Sequence, residues 1–151
     1  MSQLLKNKMK IALAQLNPKV GDIKGNISKL ISIRNNLSKD VDIIVVPELY
    51  ATGYPIDDLV LRNDFLELVE NEISDLAKLT NDGKAAIILG SPRKDEDKIR
   101  NSVFVLDQGK ILSFRDKHNL PNTGVFDEQR IFTSGSLSGP VKIRDTLVGL
   151  P

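Results

Sequence analysis

Two charged side chains of this sequence stand where catalytic chemistry is expected. Glu48 comes just after the apolar run Ile43–Val46 and Pro47, beyond the carboxyl end of a predicted buried strand, where open α/β sheets bind ligands. A carboxylate there can accept a proton, or it can simply cap backbone donors of the next loop. Lys117 follows a predicted hairpin, and its ammonium can stabilise a developing oxyanion or be an ordinary surface charge.

A second group of charges lies close behind Lys117 in the same irregular stretch. Asp127, Glu128 and Arg130 can orient a substrate amine or the lysine, or they can form surface ion pairs of little energetic value. His118 has no Ser or Cys beside it in a recognisable motif, so we interpret it as a loop histidine. The sequence contains neither GxGxxG nor GxxxxGK[ST], which counts against a nucleotide site in this segment.

The composition excludes several classes of function. The 151 residues contain one His and no Cys, which excludes a disulfide scaffold, a Cys-based zinc site, an iron–sulfur cluster and a multi-histidine metal site. A net charge of +1 lacks the electrostatic footprint of a nucleic-acid binder. No apolar run approaches the ~20 residues of a membrane-spanning helix, and the first ten residues have no apolar core of a signal peptide. We therefore expect no nucleic-acid or membrane partner and a cytoplasmic location.

Hydrophobic periodicity and turn residues predict the elements that position these side chains. Asn26 is a plausible N-cap for the first helix, and the charge run Arg93–Lys98 predicts a solvated loop. The predicted strands are Met9–Leu16, Ile43–Val46, Ala85–Gly90, the hairpin Ser102–Leu106 with Ile111–Arg115, Val141–Ile143 and Thr146–Leu150, and the predicted helices are Ile27–Leu37 and Asp64–Leu79. Residues 117–139 remain a long irregular segment, which in a compact domain is usually functional or disordered.

This order of elements predicts an α/β fold with a mixed sheet. The early β-α-β-α-β alternation implies parallel strands, and right-handed crossovers place both helices on one face of the sheet. The other face is also apolar and needs a cover that the chain does not obviously supply. We expect a polar N-terminal lead over residues 1–8 and one partial domain over residues 9–151.

Three segments together resemble the carbon–nitrogen hydrolase (nitrilase) family. They are the opening KIALAQLNPKVGD, the segment PELYATGYP at Pro47–Pro55, and KHNLPNTGVFDEQR at Lys117–Arg130. The LPN-x-GVFDE-x-R pattern is most similar to the N-terminal glutaminase domains of glutamine-dependent NAD synthetases, a branch of that family. The resemblance implies the N-terminal part of an αββα sandwich, with glutamine as substrate and ammonia supplied for NAD synthesis from deamido-NAD.

The resemblance also implies roles for individual residues. The family uses a Glu-Lys-Cys triad, in which Glu48 is the general base that later activates water and Lys117 helps to hold the tetrahedral intermediate. By the same motifs Tyr54 lines the substrate pocket, and Glu128, grouped with it as substrate-binding, is a supporting second carboxylate near the lysine. This arrangement suits a thiol nucleophile, because its reactivity depends on deprotonation by a neighbour.

The nucleophile itself is not among these residues. Family members continue from a strand like LVGLP into a Cys-Glu-Asp segment, so we expect a fragment that ends just before the Cys and is inactive alone. We expect no cofactor in this segment, with ATP and Mg²⁺ confined to a separate synthetase domain. The alternatives are half of a split enzyme completed by a second chain, a fragment of another nitrilase-family amidase, and a non-catalytic binding module. The expected partners are glutamine as the family substrate and either a complementing C-terminal chain or a homo-oligomer.

Overall fold

A computed structural model of the chain describes residues 8–150, and the predicted polar lead lies outside them except for Lys8. Two short 3-10 helices, Asp57–Leu61 and Glu128–Arg130, accompany the regular elements. The regular elements are β1 (Ile11–Leu13), α1 (Ile23–Asn35), β2 (Ile43–Val45), α2 (Asn63–Leu79), β3 (Ala86–Asp95), β4 (Lys98–Asp107), β5 (Lys110–Asp116), β6 (Val141–Ile143) and β7 (Thr146–Val148). None of the helices within the described range is long and apolar enough to cross a membrane.

The main sheet is mixed, as the order of elements predicts. Its strand order is β1-β2-β3-β4-β5; β1, β2 and β3 run parallel, and β4 and β5 are antiparallel to their neighbours. Side chains alternate between the two faces of a strand, and one set, including Ile44 and Ile87, packs with Leu30 of α1 and Val69 of α2. Both helices therefore cover the same face of the sheet, as expected.

The opposite face carries a cover that the sequence analysis did not foresee. Ile43 and Ile88 on this face pack against Val141 and Ile143, which belong to the separate two-stranded sheet of β6 and β7. The expectation that the chain supplies no cover was therefore wrong for the centre of this face. Both short strands of this hairpin were predicted, but three-residue strands have too little periodicity to show which surface they pack against.

The cover leaves the edge of the sheet open at β1. Ile11 and Leu13 are in register with Ile43 and Val45 of β2, which lie on the face that the hairpin covers, yet Ile11 and Leu13 are 49% and 74% exposed. On the face that the hairpin covers, side chains are therefore buried at β2 and β3 but exposed at β1.

The start of α1 differs from the prediction. The helix begins at Ile23, and Asp22 caps it by accepting a hydrogen bond from the backbone N–H of Gly25 at 3.1 Å. Asn26, the predicted N-cap, is buried inside the helix, and its amide donates to the carbonyls of Lys19 and Ala51. Asp and Asn are equally good caps, and tertiary contacts of Asn26 decide between them.

The charge run Arg93–Lys98 is not a solvated loop, because β3 and β4 continue through it as a paired hairpin. Arg93 forms an ion pair with Asp116 at 2.7 Å and lies 4.3 Å from the centre of the Phe114 ring. Arg93 is accommodated in β3 because it finds these two partners on β5, across β4 in the sheet.

Candidate active site

Glu48 lies in a turn that crosses over β3 at Gly90. The chain leaves β2 after Val45 and passes through Pro47, and a Cβ atom on Gly90 would stand 2.7 Å from both the Pro47 oxygen and the Leu49 nitrogen. The backbone N–H of Ala51 donates to the Gly90 carbonyl at 3.1 Å. Only glycine permits this close approach of two backbones, so Gly90 determines how closely the turn that carries Glu48 packs on β3.

Lys117 lies directly after β5, and its backbone is held on both sides. Its N–H donates to the Asn101 carbonyl of β4 at 2.8 Å, and its own carbonyl accepts from the N–H of Gly135 at 2.9 Å. A Cβ atom on Gly135 would lie 2.5 Å from the Cβ of Asp116. The loop around Gly135 therefore packs tightly on the end of β5 and fixes the start of the Lys117 side chain.

These elements bring Glu48, Lys117 and Glu128 into direct contact. Lys117 Nζ donates to Glu48 Oε1 at 2.7 Å and to Glu128 Oε1 at 2.9 Å. The side chains differ in exposure, from 47% for Glu48 and 29% for Lys117 to 7% for Glu128. One ammonium thus bridges two carboxylates, a more exposed one and a buried one.

The two carboxylates control the charge of Lys117. Partial burial works against its charged form, but the hydrogen bonds with Glu48 and Glu128 outweigh burial and raise the pKa of Lys117 above its ordinary value. Lys117 therefore stays protonated at neutral pH and acts as a hydrogen-bond donor. A proton acceptor at this site must be a carboxylate.

Glu128 keeps one oxygen unpaired. Its Oε2 atom is buried and, within residues 8–150, has no hydrogen-bond partner. Glu128 and Tyr54 line the same small cleft of about 80 Å³, which Pro55 and Phe132 also border. Burial and the nearby carboxylates of Glu128 and Glu48 raise the pKa of Tyr54, so its hydroxyl stays neutral and can donate. A buried acceptor without a donor is costly, and a ligand N–H in this cleft would satisfy it.

A larger groove is bordered by the Glu48–Lys117 pair. It has a volume of about 430 Å³. Its remaining wall is mainly apolar, with Val45, Ile88 and Val103 from three adjacent strands. The Glu48–Lys117 pair therefore borders a wide, mainly apolar groove, whereas Glu128 borders the small cleft.

The other residues singled out in the sequence have structural contacts. His118 Nδ1 lies 2.7 Å from the Gly135 carbonyl, in keeping with a loop histidine. Arg130 pairs with Asp127 at 2.9 Å and also contacts Asp58. All three of these paired side chains are substantially exposed, so the surface ion-pair interpretation describes Asp127 and Arg130.

Asn101 also contacts this site, although it was not singled out from the sequence. This residue of β4 is 4% exposed, and its side-chain amide donates to Glu48 Oε1 at 2.6 Å. Its one local signal is an amide inside β4, just before the predicted strand Ser102–Leu106, since Asn is depleted in strands. Nothing local indicated which group it would meet.

The chain belongs to the carbon–nitrogen hydrolase family, whose sequence profile matches residues 10–150. Among similar proteins is the glutamine-dependent NAD(+) synthetase of Thermotoga maritima, 38% identical over 144 residues, which cover 95% of this chain and 25% of the relative. The same enzyme of Rhodobacter capsulatus is 35% identical over 146 residues, or 96% of this chain and 26% of the relative. The chain thus spans about a quarter of the length of these relatives.

Solved structures agree with the fold. Glutamine-dependent NAD+ synthetase from Acinetobacter baumannii, in complex with ADP, superposes with a TM-score of 0.82 at 35% identity, over 92% of this chain and 26% of that one. An amidase from Nesterenkonia sp. superposes with a TM-score of 0.71 at 19% identity, over 88% of this chain and 50% of that one. The fold described above is therefore that of the N-terminal part of a nitrilase-like domain.

Proposed function

We propose that this chain supplies the general base and the oxyanion-stabilising lysine of a glutamine amidohydrolase site. The observation that carries this proposal is the contact of Lys117 Nζ with both Glu48 and Glu128. The similarity to glutamine-dependent NAD(+) synthetases supports glutamine as the substrate. Ammonia released here would serve the synthesis of NAD from deamido-NAD.

In the proposed reaction Glu48 takes the proton of a cysteine thiol, and the thiolate attacks the amide carbon of glutamine. Lys117, held protonated by its two carboxylates, donates a hydrogen bond to the oxygen that becomes negative in the tetrahedral intermediate. The proton held by Glu48 then passes to the leaving nitrogen, and ammonia departs. Glu48 next removes a proton from water, which attacks the thioester; the carbon–sulfur bond breaks, glutamate is released, and the proton returns from Glu48 to the cysteine sulfur.

Glu128 and Tyr54 are proposed to bind the substrate. The unpaired Oε2 of Glu128 can accept a hydrogen bond from an N–H of the ligand, while its Oε1 holds Lys117. Tyr54 borders the same cleft and, being neutral, can donate from its hydroxyl. ATP and Mg²⁺, which the family resemblance assigns to a separate synthetase domain, have no part in this proposal.

The thiol in this proposal comes from outside these 151 residues, since they contain no Cys. Neither Glu48 nor Lys117 can replace it, because covalent catalysis depends on a nucleophile that both residues only assist. The apolar groove beside the ion pair is where a thiol-bearing strand would fit. Such a strand can belong to a following segment or to a complementing chain, and the proposed chemistry is the same in both cases.

The test is glutamine hydrolysis by a hybrid enzyme, in which the matched segment of this chain replaces the corresponding quarter of the Thermotoga maritima relative. We expect ammonia release from glutamine by the hybrid enzyme, with little from a simple aliphatic amide, and none from the 151-residue chain alone. Glu48→Gln and Lys117→Met in the hybrid enzyme should each remove turnover by about 10³-fold or more. Full activity of either variant, or clear turnover by the chain alone, would refute the proposed roles.

A further inference from the structure

We propose that Asn101 is a positioning residue that holds the general base and the lysine in a fixed relation to each other. This inference rests on the proposed amidohydrolase function and deepens it. Asn101 reaches both groups at once: its side-chain amide donates to Glu48 Oε1 at 2.6 Å, and its backbone carbonyl accepts the N–H of Lys117 at 2.8 Å. One residue of β4 therefore connects two groups that are 69 residues apart.

The side-chain contact is directional. Asn101 is 4% exposed, so its amide has little water to turn towards. The nitrogen must face Glu48, because the amide oxygen in the same place would confront a carboxylate oxygen without a proton between them. A buried amide donating to a carboxylate is a charge-assisted hydrogen bond, which is about twice as strong as a neutral one.

The contact also distinguishes the two oxygens of Glu48. Oε1 accepts from both Asn101 Nδ2 and Lys117 Nζ, whereas Oε2 has no protein donor among the residues that the structure describes. The second oxygen is therefore the one available to take a proton from a thiol. Asn101 thus determines which oxygen of the base is presented to the reaction.

The side chain of Glu48 needs this support because it is 47% exposed. Lys117 alone is a flexible donor on a four-carbon stem and can follow a rotated carboxylate. Asn101 is short, buried and part of a paired strand, so its amide cannot follow. Removing that amide leaves Glu48 free to turn towards solvent while the ion pair persists.

The first test uses the 151-residue chain and nuclear magnetic resonance. Asn101 is expected to show side-chain amide resonances that shift when the carboxylates are titrated with acid, and Glu48→Gln should abolish that shift while the backbone spectrum is retained. An Asn101 amide that ignores both the titration and the Glu48→Gln substitution would overturn the inference.

The second test measures glutamine hydrolysis in the hybrid enzyme. Asn101→Leu, which is similar in size but lacks the donor, should lower kcat by about 10- to 100-fold with KM nearly unchanged, because displaced reacting groups slow the chemical step. Asn101→Gln retains a donor and should recover part of kcat. The matched control is Asn71→Leu on the exposed face of α2, which should leave both constants unchanged.

The two tests separate failure of the positioning role from failure of the proposed function. Wild-type kcat in a folded Asn101→Leu hybrid enzyme overturns the positioning role and leaves the amidohydrolase proposal standing. Equal loss of kcat and rise of KM would indicate general damage and also overturn it. If the unsubstituted hybrid enzyme releases no ammonia, the function fails, and the resonance test still decides whether Asn101 holds Glu48.

Discussion

Lys117 Nζ lies 2.7 Å from Glu48 Oε1, although β3 and β4 separate the strands that precede these two residues in the sheet. The turn after β2 closes the gap by crossing β3 at Gly90, where a Cβ atom would lie 2.9 Å from the Cα of Glu48. The side chain of Asn101 on β4 then meets Glu48 from the other side. The ion pair therefore depends on a backbone crossing and is not a contact between neighbouring strands.

Gly90→Ala should displace the turn that carries Glu48. The added methyl group would stand 2.7 Å from backbone atoms of Leu49 and Pro47, and backbone cannot move aside as a flexible side chain can. We expect the free energy of unfolding to fall by about 1–3 kcal/mol and ammonia release by the hybrid enzyme to fall at least about 10-fold. Gly139→Ala is the control, since a Cβ atom there meets nothing within 4 Å; similar effects of both substitutions would contradict the crossing argument.

Glu48→Gln should lower the pKa of Lys117. Burial by itself lowers the pKa of Lys117. The hydrogen bonds with Glu48 and Glu128 outweigh burial and raise this pKa above 10.5, so loss of the Glu48 carboxylate removes one of the two raising contributions. Because the folded pKa is raised, the stabilisation is complete at neutral pH and disappears as the pH rises through the folded pKa of Lys117. Titration of the Lys117 Cε resonance measures the change in pKa. Glu67→Gln, on the exposed face of α2, is the control for the loss of one negative charge. An unchanged titration in Glu48→Gln would be evidence against the pairing.

Asp82→Asn should destabilise the protein at neutral pH and much less in acid. Arg34 is buried and donates two hydrogen bonds to Asp82, which lower the pKa of Asp82 to about 2. The lowered folded pKa means that the stabilisation is present above 3.8, the ordinary value, and is lost as the pH falls towards 2. Asp82 is one-third exposed, so solvent screening reduces the stabilisation from this pair. We expect Asp82→Asn to lower the free energy of unfolding by about 1–2 kcal/mol at pH 7.

Urea unfolding of wild type and Asp82→Asn at several pH values measures this difference. Asp75→Asn removes a partner of Lys78 on the exposed face of α2 and should change stability little. A gap between wild type and Asp82→Asn that stays constant down to pH 2 would rule out the Arg34 pairing as its cause.

Arg144→Ala should loosen the β6–β7 hairpin from the sheet. Arg144 donates to the carboxylate of Asp107 at 3.2 Å and to the Lys84 carbonyl at 2.7 Å, and Asp107 is only 2% exposed. The substitution leaves that carboxylate buried without its cation, which should lower the free energy of unfolding by about 2–3 kcal/mol. This is less than the loss expected for a fully buried ion pair, because Arg144 is partly exposed.

Hydrogen exchange measures the loosening of the hairpin directly. We expect faster exchange of backbone amides in β6 and β7 of Arg144→Ala, with α2 unaffected. Lys142→Ala, on the exposed side of β6, provides the control. Wild-type protection of the hairpin in Arg144→Ala would show that apolar packing alone holds it.

Much of the fold could be predicted from periodicity and turn residues. α2 agrees with its prediction to within one residue, because the recurring positions Phe65, Val69, Ile73 and Leu76 form one buried stripe. The hairpin between β4 and β5 follows from Gly109, whose φ of +79° suits a tight turn. Besides the cover on the second face of the sheet, the errors arose at Asn26 and at Arg93–Lys98, where a polar side chain has a distant partner that its local pattern does not indicate.

By itself the sequence determined the family of this protein and the residue types available to it: a carboxylate at Glu48, a cation at Lys117 and no thiol. Only the tertiary structure decided that Lys117 bridges Glu48 and Glu128 and that Asn101 holds the first of them. The physical reason is that hydrogen bonds and charge stabilisation act over about 3 Å, whereas the hydrogen-bonded pairs concerned are up to 69 positions apart in the sequence. Their approach depends on the backbone crossing at Gly90, which no local pattern encodes.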